Sequence, residues 1–190
     1  MKKVLIIGAS GSLAQSVIEA SKNLENIELT LFLRNKNRIS IELSEDCKII
    51  EGDALDFNDI KKAVANQDIV YVNLEGNLEL MTKNIVKAMQ EEGVQRIIAI
   101  SSIGIYETPL KPVLVPYRKL ADVIEDSGLD YTILRPDWFT NADEIDYSVT
   151  IKGTPETGSA ISRKSIADFV SKLMIYPNLY INENLGISKP

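Results

Sequence analysis

The chain has 190 residues, 45% apolar and 25% charged, with a net charge of −6 and a sequence pI near 4.8. That length suits one well-packed domain over residues 1–190, the composition lacks a disordered tract, and the acidic balance speaks against duplex nucleic acid or an anionic membrane as principal partner. There is no histidine and a single cysteine, Cys47, which excludes Ser-His-Asp and Cys-His catalysis, the usual zinc sites and an internal disulfide; no clustered carboxylate motif points to another metal.

Val4-Leu5-Ile6-Ile7 reads as a buried strand. Lys2 and Lys3 precede it, but the run passes straight into a glycine turn, so it is a strand and not a signal peptide. No run approaches membrane-spanning length, and the expected location is cytoplasmic. The turn is Gly8-Ala9-Ser10-Gly11-Ser12-Leu13-Ala14, opening a segment whose Leu13, Val17 and Ile18 share one helical face. Glycines let backbone approach a phosphate closely, and a helix N-terminus offers free N–H groups and a partial positive charge to an anion. The expected guest is a dinucleotide pyrophosphate. The spacing is G-x-x-G-x-x-A and not the G-x-G-x-x-G fingerprint, and a glycine pair also suits an ordinary turn. Ala14 supplies the small residue needed where helix packs on strand.

Ile27–Leu33 reads as a second strand ending at Arg34-Asn35-Lys36-Asn37-Arg38. In this pattern an acid at that place would bind the ribose 2′-hydroxyl of NAD. Arg34, Lys36 and Arg38 stand there instead, which predicts NADP(H) in preference to NAD(H); a solvated basic loop is the plainer alternative. Residues 47–51 form a short third strand, with Cys47 expected as a buried structural thiol. Asp53, where that strand gives out, can accept a hydrogen bond from an adenine amino group, while Asp56 reads as an N-cap for a helix carrying Phe57, Ile60 and Val64.

Residues 68–74 form a fourth strand, with Asn73 and Glu75-Gly76 in the loop at its end. A helix follows with Leu78, Met81, Ile85 and Met89 inward, and Gly93 stops it before a fifth strand, Arg96–Ile100, that runs into Ser101-Ser102-Ile103-Gly104. Strands alternating with helices imply βαβ units and a doubly wound, mostly parallel sheet flanked by helices: an α/β Rossmann fold whose ligands bind at the carboxyl ends of the strands. Three prolines between Thr108 and Pro116 predict a loop over or near those ends. Beyond it come a helix with Leu120, Val123 and Ile124 inward, a sixth strand at residues 131–134, Arg135-Pro136-Asp137-Trp138-Phe139, and a short strand at residues 147–151. Arg163–Ile175 carries a helical core stripe, and one more extended segment is expected near Tyr180-Ile181 or Leu185-Gly186-Ile187. From about residue 136 onward the chain offers only a minimal substrate-side region.

The glycine turn, Gly52-Asp53, Ser101-Ser102 and the string Ser127-Gly128-Leu129-Asp130-Tyr131-Thr132-Ile133-Leu134-Arg135-Pro136 together resemble an atypical short-chain dehydrogenase/reductase. Within that superfamily the chain is most similar to NAD(P)H-binding proteins related to NmrA and to flavin/biliverdin reductase. The resemblance implies that Gly8, Ser10, Gly11 and the backbone of Ser12 and Leu13 hold the pyrophosphate, Arg34 the 2′-phosphate, and Asp53 and Ala54 the adenine. It further implies that Asn73, Leu74 and Glu75 line the cofactor edge, with Ser101 or Ser102, Lys119 and Pro136 around the nicotinamide.

One departure is plain. Catalytic members carry Tyr-x-x-x-Lys, one helical turn apart, so that the lysine charge helps the phenol move a proton. Here Val115 stands four residues before Lys119, and Tyr117 is two away. The resemblance therefore implies an NADP(H)-binding oxidoreductase that passes hydride from NADPH to a small or planar acceptor (flavin, quinone or carbonyl), with Ser102 or solvent giving the proton and Lys119 assisting. Its alternative is a non-catalytic, NmrA-type redox sensor. A sugar-nucleotide epimerase or dehydratase fits less well, because it needs the dyad and a larger C-terminal region.

Overall fold

The structure is a computed structural model describing residues 1–190. The first apolar run is β1 (Lys2–Ile7), and α1 (Ser12–Ser21) follows the glycine turn. Then come β2 (Ile27–Leu33), a 3-10 turn at Lys36–Arg38, the short α2 (Ile41–Ser44), β3 (Lys48–Glu51), α3 (Phe57–Val64), β4 (Ile69–Val72), α4 (Leu78–Glu92) and β5 (Arg96–Ile100). A second 3-10 turn, Pro112–Leu114, leads into α5 (Val115–Glu125) and β6 (Asp130–Pro136). The remainder is β7 (Phe139–Thr140), β8 (Ser148–Ile151), β9 (Ile161–Ser162), α6 (Arg163–Ile175) and β10 (Glu183–Ser188).

Local chemistry sets these boundaries. The Asp56 carboxylate accepts from the N–H groups of Asn58 and Asp59 and starts α3; Asn77 and Ser162 do the same service for α4 and α6. Gly93, at φ +72°, ends α4 in the left-handed conformation that suits glycine.

One eight-stranded sheet has the order β3-β2-β1-β4-β5-β6-β10-β8. All neighbours pair in parallel except β8, which runs antiparallel on β10 at the edge. β7 and β9 form a separate two-stranded parallel pair. This is the expected α/β Rossmann architecture, and strand order reverses between β1 and β4, where such sheets open a crevice at their carboxyl ends.

Alternate residues of each central strand feed opposite layers. Val4, Ile6 and Tyr71 pack toward α1 and α6, while Leu5, Ile7, Val70 and Val72 pack toward α3, α4 and α5. Burial on both faces is why β1 and β4 read as unbroken apolar runs and do not alternate.

Several details differ from the sequence reading. β4 is shorter than residues 68–74, since the chain turns away once the Asn73 N–H has bonded the Ile7 carbonyl. β6 extends through Arg135 and Pro136 because β10 lies alongside it, in register with both. The last extended segment is the one around residues 185–187: Tyr180 and Asn182 adopt positive φ and interrupt the chain just before it. Val123 and Cys47 are partly buried, packed against the two core layers and not inside them. No helix is long and apolar enough to cross a membrane.

Candidate functional site

A cleft of about 830 Å³ lies along the carboxyl ends of the strands, in the size range of small-molecule and cofactor sites. Gly8, Ser10, Gly11, Ser12, Leu13, Arg34, Asp53, Ala54, Asn73, Leu74, Glu75, Ser101, Ser102 and Pro136 all line it.

At its centre the glycine turn is folded hard against β2 and β4. The N–H groups of Gly8 and Ala9 both donate to the Phe32 carbonyl, at 3.0 and 3.2 Å, and the Gly11 N–H donates to the Gly8 carbonyl at 3.0 Å. Gly8 has φ +86°, and a Cβ there would stand 2.0 Å from the Asn73 carbonyl oxygen. Gly11 caps α1 with no side-chain hydrogen bond, and α1 has no acid in its first turn. The N–H groups of Ser12, Leu13 and Ala14 have no helical acceptor for the same geometric reason that holds at every helix start. Together they form an uncapped positive pole facing the cleft, and the residues fit a bound pyrophosphate.

Sequence reasoning missed a cation beside this pole. Arg163, the first residue of α6, donates from Nε to Ser12 Oγ at 3.1 Å and from Nη1 to Asn141 Oδ1 at 2.7 Å. Its guanidinium also lies 5.4 Å from the centre of the Phe139 ring in β7. A cation at a helix N-terminus opposes that helix's own dipole, which is a sequence signal that Arg163 serves something other than α6.

At one end, Arg34 and Arg38 line the cleft and are exposed. Lys36 does not line it; its backbone N–H donates to Glu51 Oε1 at 2.9 Å. The Asp53 carboxylate accepts from the Leu55 N–H at 3.0 Å, while the Asp53 N–H donates to Asp59 Oδ2 at 3.1 Å. Gly52 lets this segment cross the Phe32 ring, which a Cβ would approach to 2.8 Å.

At the other end, Ser101 is buried and its hydroxyl donates to the Tyr117 carbonyl at 3.0 Å. The Ser102 hydroxyl donates to the Ile103 carbonyl at 3.2 Å. Tyr117 itself lines the cleft, and burial first, then the nearby Glu75 carboxylate, push its phenol above the usual value. Lys119, like Lys36, is a predicted residue that does not line the cleft. Its ammonium is 2.5 Å from Glu79 Oε2, an ion pair that with Lys83 holds the Glu79 carboxyl down to about 2. The reason is rotational: two residues along a helix turn a side chain through about 200°, so with Tyr117 on the cleft face Lys119 faces away.

Below the floor, Arg135 is nearly fully buried and pairs with Glu156 at 2.7 Å, whose other oxygen accepts from the Gly104 N–H at 3.3 Å. The loop after β5 is thereby tied to the segment between β8 and β9.

Comparison with known proteins bears on the family and the fold. A family model described as NAD(P)H-binding matches residues 8–177. A solved Rossmann-fold NAD(P)-binding family protein from Shigella flexneri is 42% identical, with TM-score 0.91 over 100% of this chain and 94% of that one. A short-chain dehydrogenase/reductase from Veillonella parvula, solved in complex with NADP, shares the fold at 24% identity and TM-score 0.91, covering 100% of this chain and 95% of that one. Among curated proteins, phenylcoumaran benzylic ether reductase PT1 from Pinus taeda is 28% identical over 152 residues, 72% of this chain. The match spans 49% of that relative, about half its length.

Proposed function

The chain belongs to the NAD(P)H-binding family, and from that premise we propose that it is an NADP(H)-dependent oxidoreductase of the atypical short-chain dehydrogenase/reductase type, reducing a small or planar acceptor such as a flavin, quinone or carbonyl. The observation that carries the proposal is one cleft joining the uncapped start of α1 to the exposed pair Arg34 and Arg38. The first suits a pyrophosphate and the second a 2′-phosphate, with no acid between residues 34 and 38 to repel it.

The bound dihydronicotinamide would supply two electrons as hydride, the acceptor taking that hydride and one proton. The protein's part is to bind, orient and hold protons. Asn73, Leu74 and Glu75 form one edge, and Ser101, through the Tyr117 carbonyl, fixes the start of α5 against β5. Tyr117, kept protonated by burial and by Glu75, donates a hydrogen bond to an acceptor oxygen or nitrogen without giving up its proton. Ser102 or water delivers the proton, and water restores it.

A second reading is a redox sensor that holds NADP(H) without turnover. The pairing of Lys119 with Glu79 favours it, because it leaves no lysine beside a cleft tyrosine to lower its pKa. Calorimetric titration with NADPH and NADP+, followed by NADPH oxidation against flavin, quinone and carbonyl panels, separates the two. Binding with turnover supports the oxidoreductase, binding without it on every panel supports the sensor, and absence of binding refutes both.

A further inference from the structure

Trp138 is the only tryptophan in the chain, and it is 82% exposed at the cleft. Its main chain is not loose. The Asp137 N–H donates to the Ile187 carbonyl at 3.1 Å, the Trp138 N–H to Asp137 Oδ1 at 2.6 Å, and the Trp138 carbonyl accepts from the Ile161 N–H at 2.8 Å. The corner between β6 and β7 is thus pinned to β10 and β9 while the indole projects. The neighbouring Phe139 ring is covered by the Arg163 guanidinium, but Trp138 has neither an aromatic nor a cationic partner. An indole presented to water on a fixed backbone at the rim of the cleft leaves a large apolar face free to stack on a ligand held there.

The surroundings narrow that ligand. Pro136, Ser101 and Ser102 place Trp138 at the nicotinamide end, where Val113, 71% exposed in the 3-10 turn before α5, adds a further apolar surface. Charge at this end is acidic: Glu75, Glu107 and Asp137 stand against Lys111 alone, which lies 3.6 Å from Glu107. The cofactor end, with Arg34 and Arg38, has the opposite sign.

We propose that Trp138 is the platform on which an uncharged, planar ring acceptor stacks, and that the carboxylates of Glu75, Glu107 and Asp137 discriminate against anionic acceptors. This rests on the oxidoreductase reading and specifies its substrate class.

Riboflavin and FMN test it, since they share one ring system and differ by a phosphate monoester. With the protein saturated by NADP+, which prevents turnover, riboflavin is expected to shield Trp138 emission from acrylamide, and FMN to bind about tenfold more weakly because like charges face each other across the cleft mouth. Trp138→Ala is expected to lower riboflavin affinity about tenfold, read by flavin polarisation, and Trp138→Phe to restore it to within about threefold, as a stacking contact requires. NADP+ affinity stays unchanged in both variants. Failure of NADP+ to bind the wild type overturns the reading beneath the proposal. NADP+ binding with no shielding of Trp138, or with FMN bound as tightly as riboflavin, overturns this proposal alone.

Discussion

The carbonyl oxygen of Asn73 fills the space into which a side chain on Gly8 would project: a Cβ there would come within 2.0 Å of it. β1 and β4 are therefore in contact at the point where the chain turns toward α1. Gly11 differs, since its φ of −69° suits any residue and a Cβ would meet nothing nearer than 3.4 Å. Gly8→Ala is expected to cost about 2 kcal/mol or more of folding stability, from backbone clash and positive φ together. Gly11→Ala is expected to fold normally yet bind NADP+ at least about tenfold more weakly, because the added methyl stands where the pyrophosphate must approach. Urea unfolding and calorimetry on both variants check the separation; equal stability loss in the two would refute it.

Arg34 lines the cleft with its side chain exposed. Reversing its charge sets a carboxylate against a 2′-phosphate while leaving the pyrophosphate grip intact. Arg34→Asp should weaken NADP+ by roughly thirtyfold or more and NAD+ by less than about threefold. Equal losses for the two nucleotides would remove the basis for preferring NADP(H).

The places of these two residues at the cleft were legible in the sequence because those places are set locally. A glycine between a strand and a helix, or a base where a second strand ends, sits at a fixed place in a βαβ unit whatever happens elsewhere. Arg163 and Trp138 depend on the chain's return. Arg163 meets Ser12 across 151 residues, through the packing of α6 on α1, and no spacing rule reports such a meeting. Lys119 is a third kind of case. Its distance from Tyr117 already signalled that the two could not share a face, but its partner, Glu79 on α4, follows from tertiary packing. The fold was easier to read because the apolar periods of β1, β5 and α6 repeat one signal many times, whereas a side chain's direction rests on a single contact.

Arg163 binds Ser12 Oγ at the start of α1 and, unlike Arg34, does not itself line the cleft. Its charge is expected to act on the pyrophosphate that both nucleotides share. Arg163→Ala should weaken NAD+ and NADP+ alike, by about three- to tenfold, with the loss shrinking as salt is raised. A loss confined to NADP+ would place the guanidinium at the 2′-phosphate instead.

Tyr117 and Lys119 make opposite predictions. Lys119→Ala breaks a surface ion pair with Glu79 and is expected to change NADPH oxidation less than about twofold. Tyr117→Phe removes a hydrogen-bond donor from the cleft and should raise the acceptor KM about three- to tenfold with a smaller effect on NADPH. Since burial and Glu75 raise the Tyr117 pKa above its ordinary value near about 10, turnover should show no basic limb between about pH 7 and 9. A limb in that range, abolished by Lys119→Ala, would restore a Tyr–Lys mechanism.

Behind the cleft, Glu125 joins α5 to the last strands: its carboxylate accepts from Lys152 at 2.8 Å and from Asn184 at 2.9 Å, with the Tyr106 hydroxyl at 3.4 Å. Burial pushes the carboxyl up, but the hydrogen bonds from Lys152 and Asn184 outweigh it and hold the pKa below the usual value. A depressed folded-state pKa contributes stability that is fully present above the unfolded value of about 4.3 and is lost as pH falls through the folded one. Glu125→Gln keeps the shape and removes the charge, so it is expected to cost about 1 kcal/mol at pH 7, the range of a charge-assisted bond partly screened by water. The gap between wild type and variant should then close as the pH drops below about 4, because protonation makes the two side chains electrically alike. Urea unfolding midpoints at pH 7 and pH 3 measure both gaps. A difference that persists unchanged in acid would assign the stabilisation to packing around Asn184 and Tyr106 and not to the carboxylate charge.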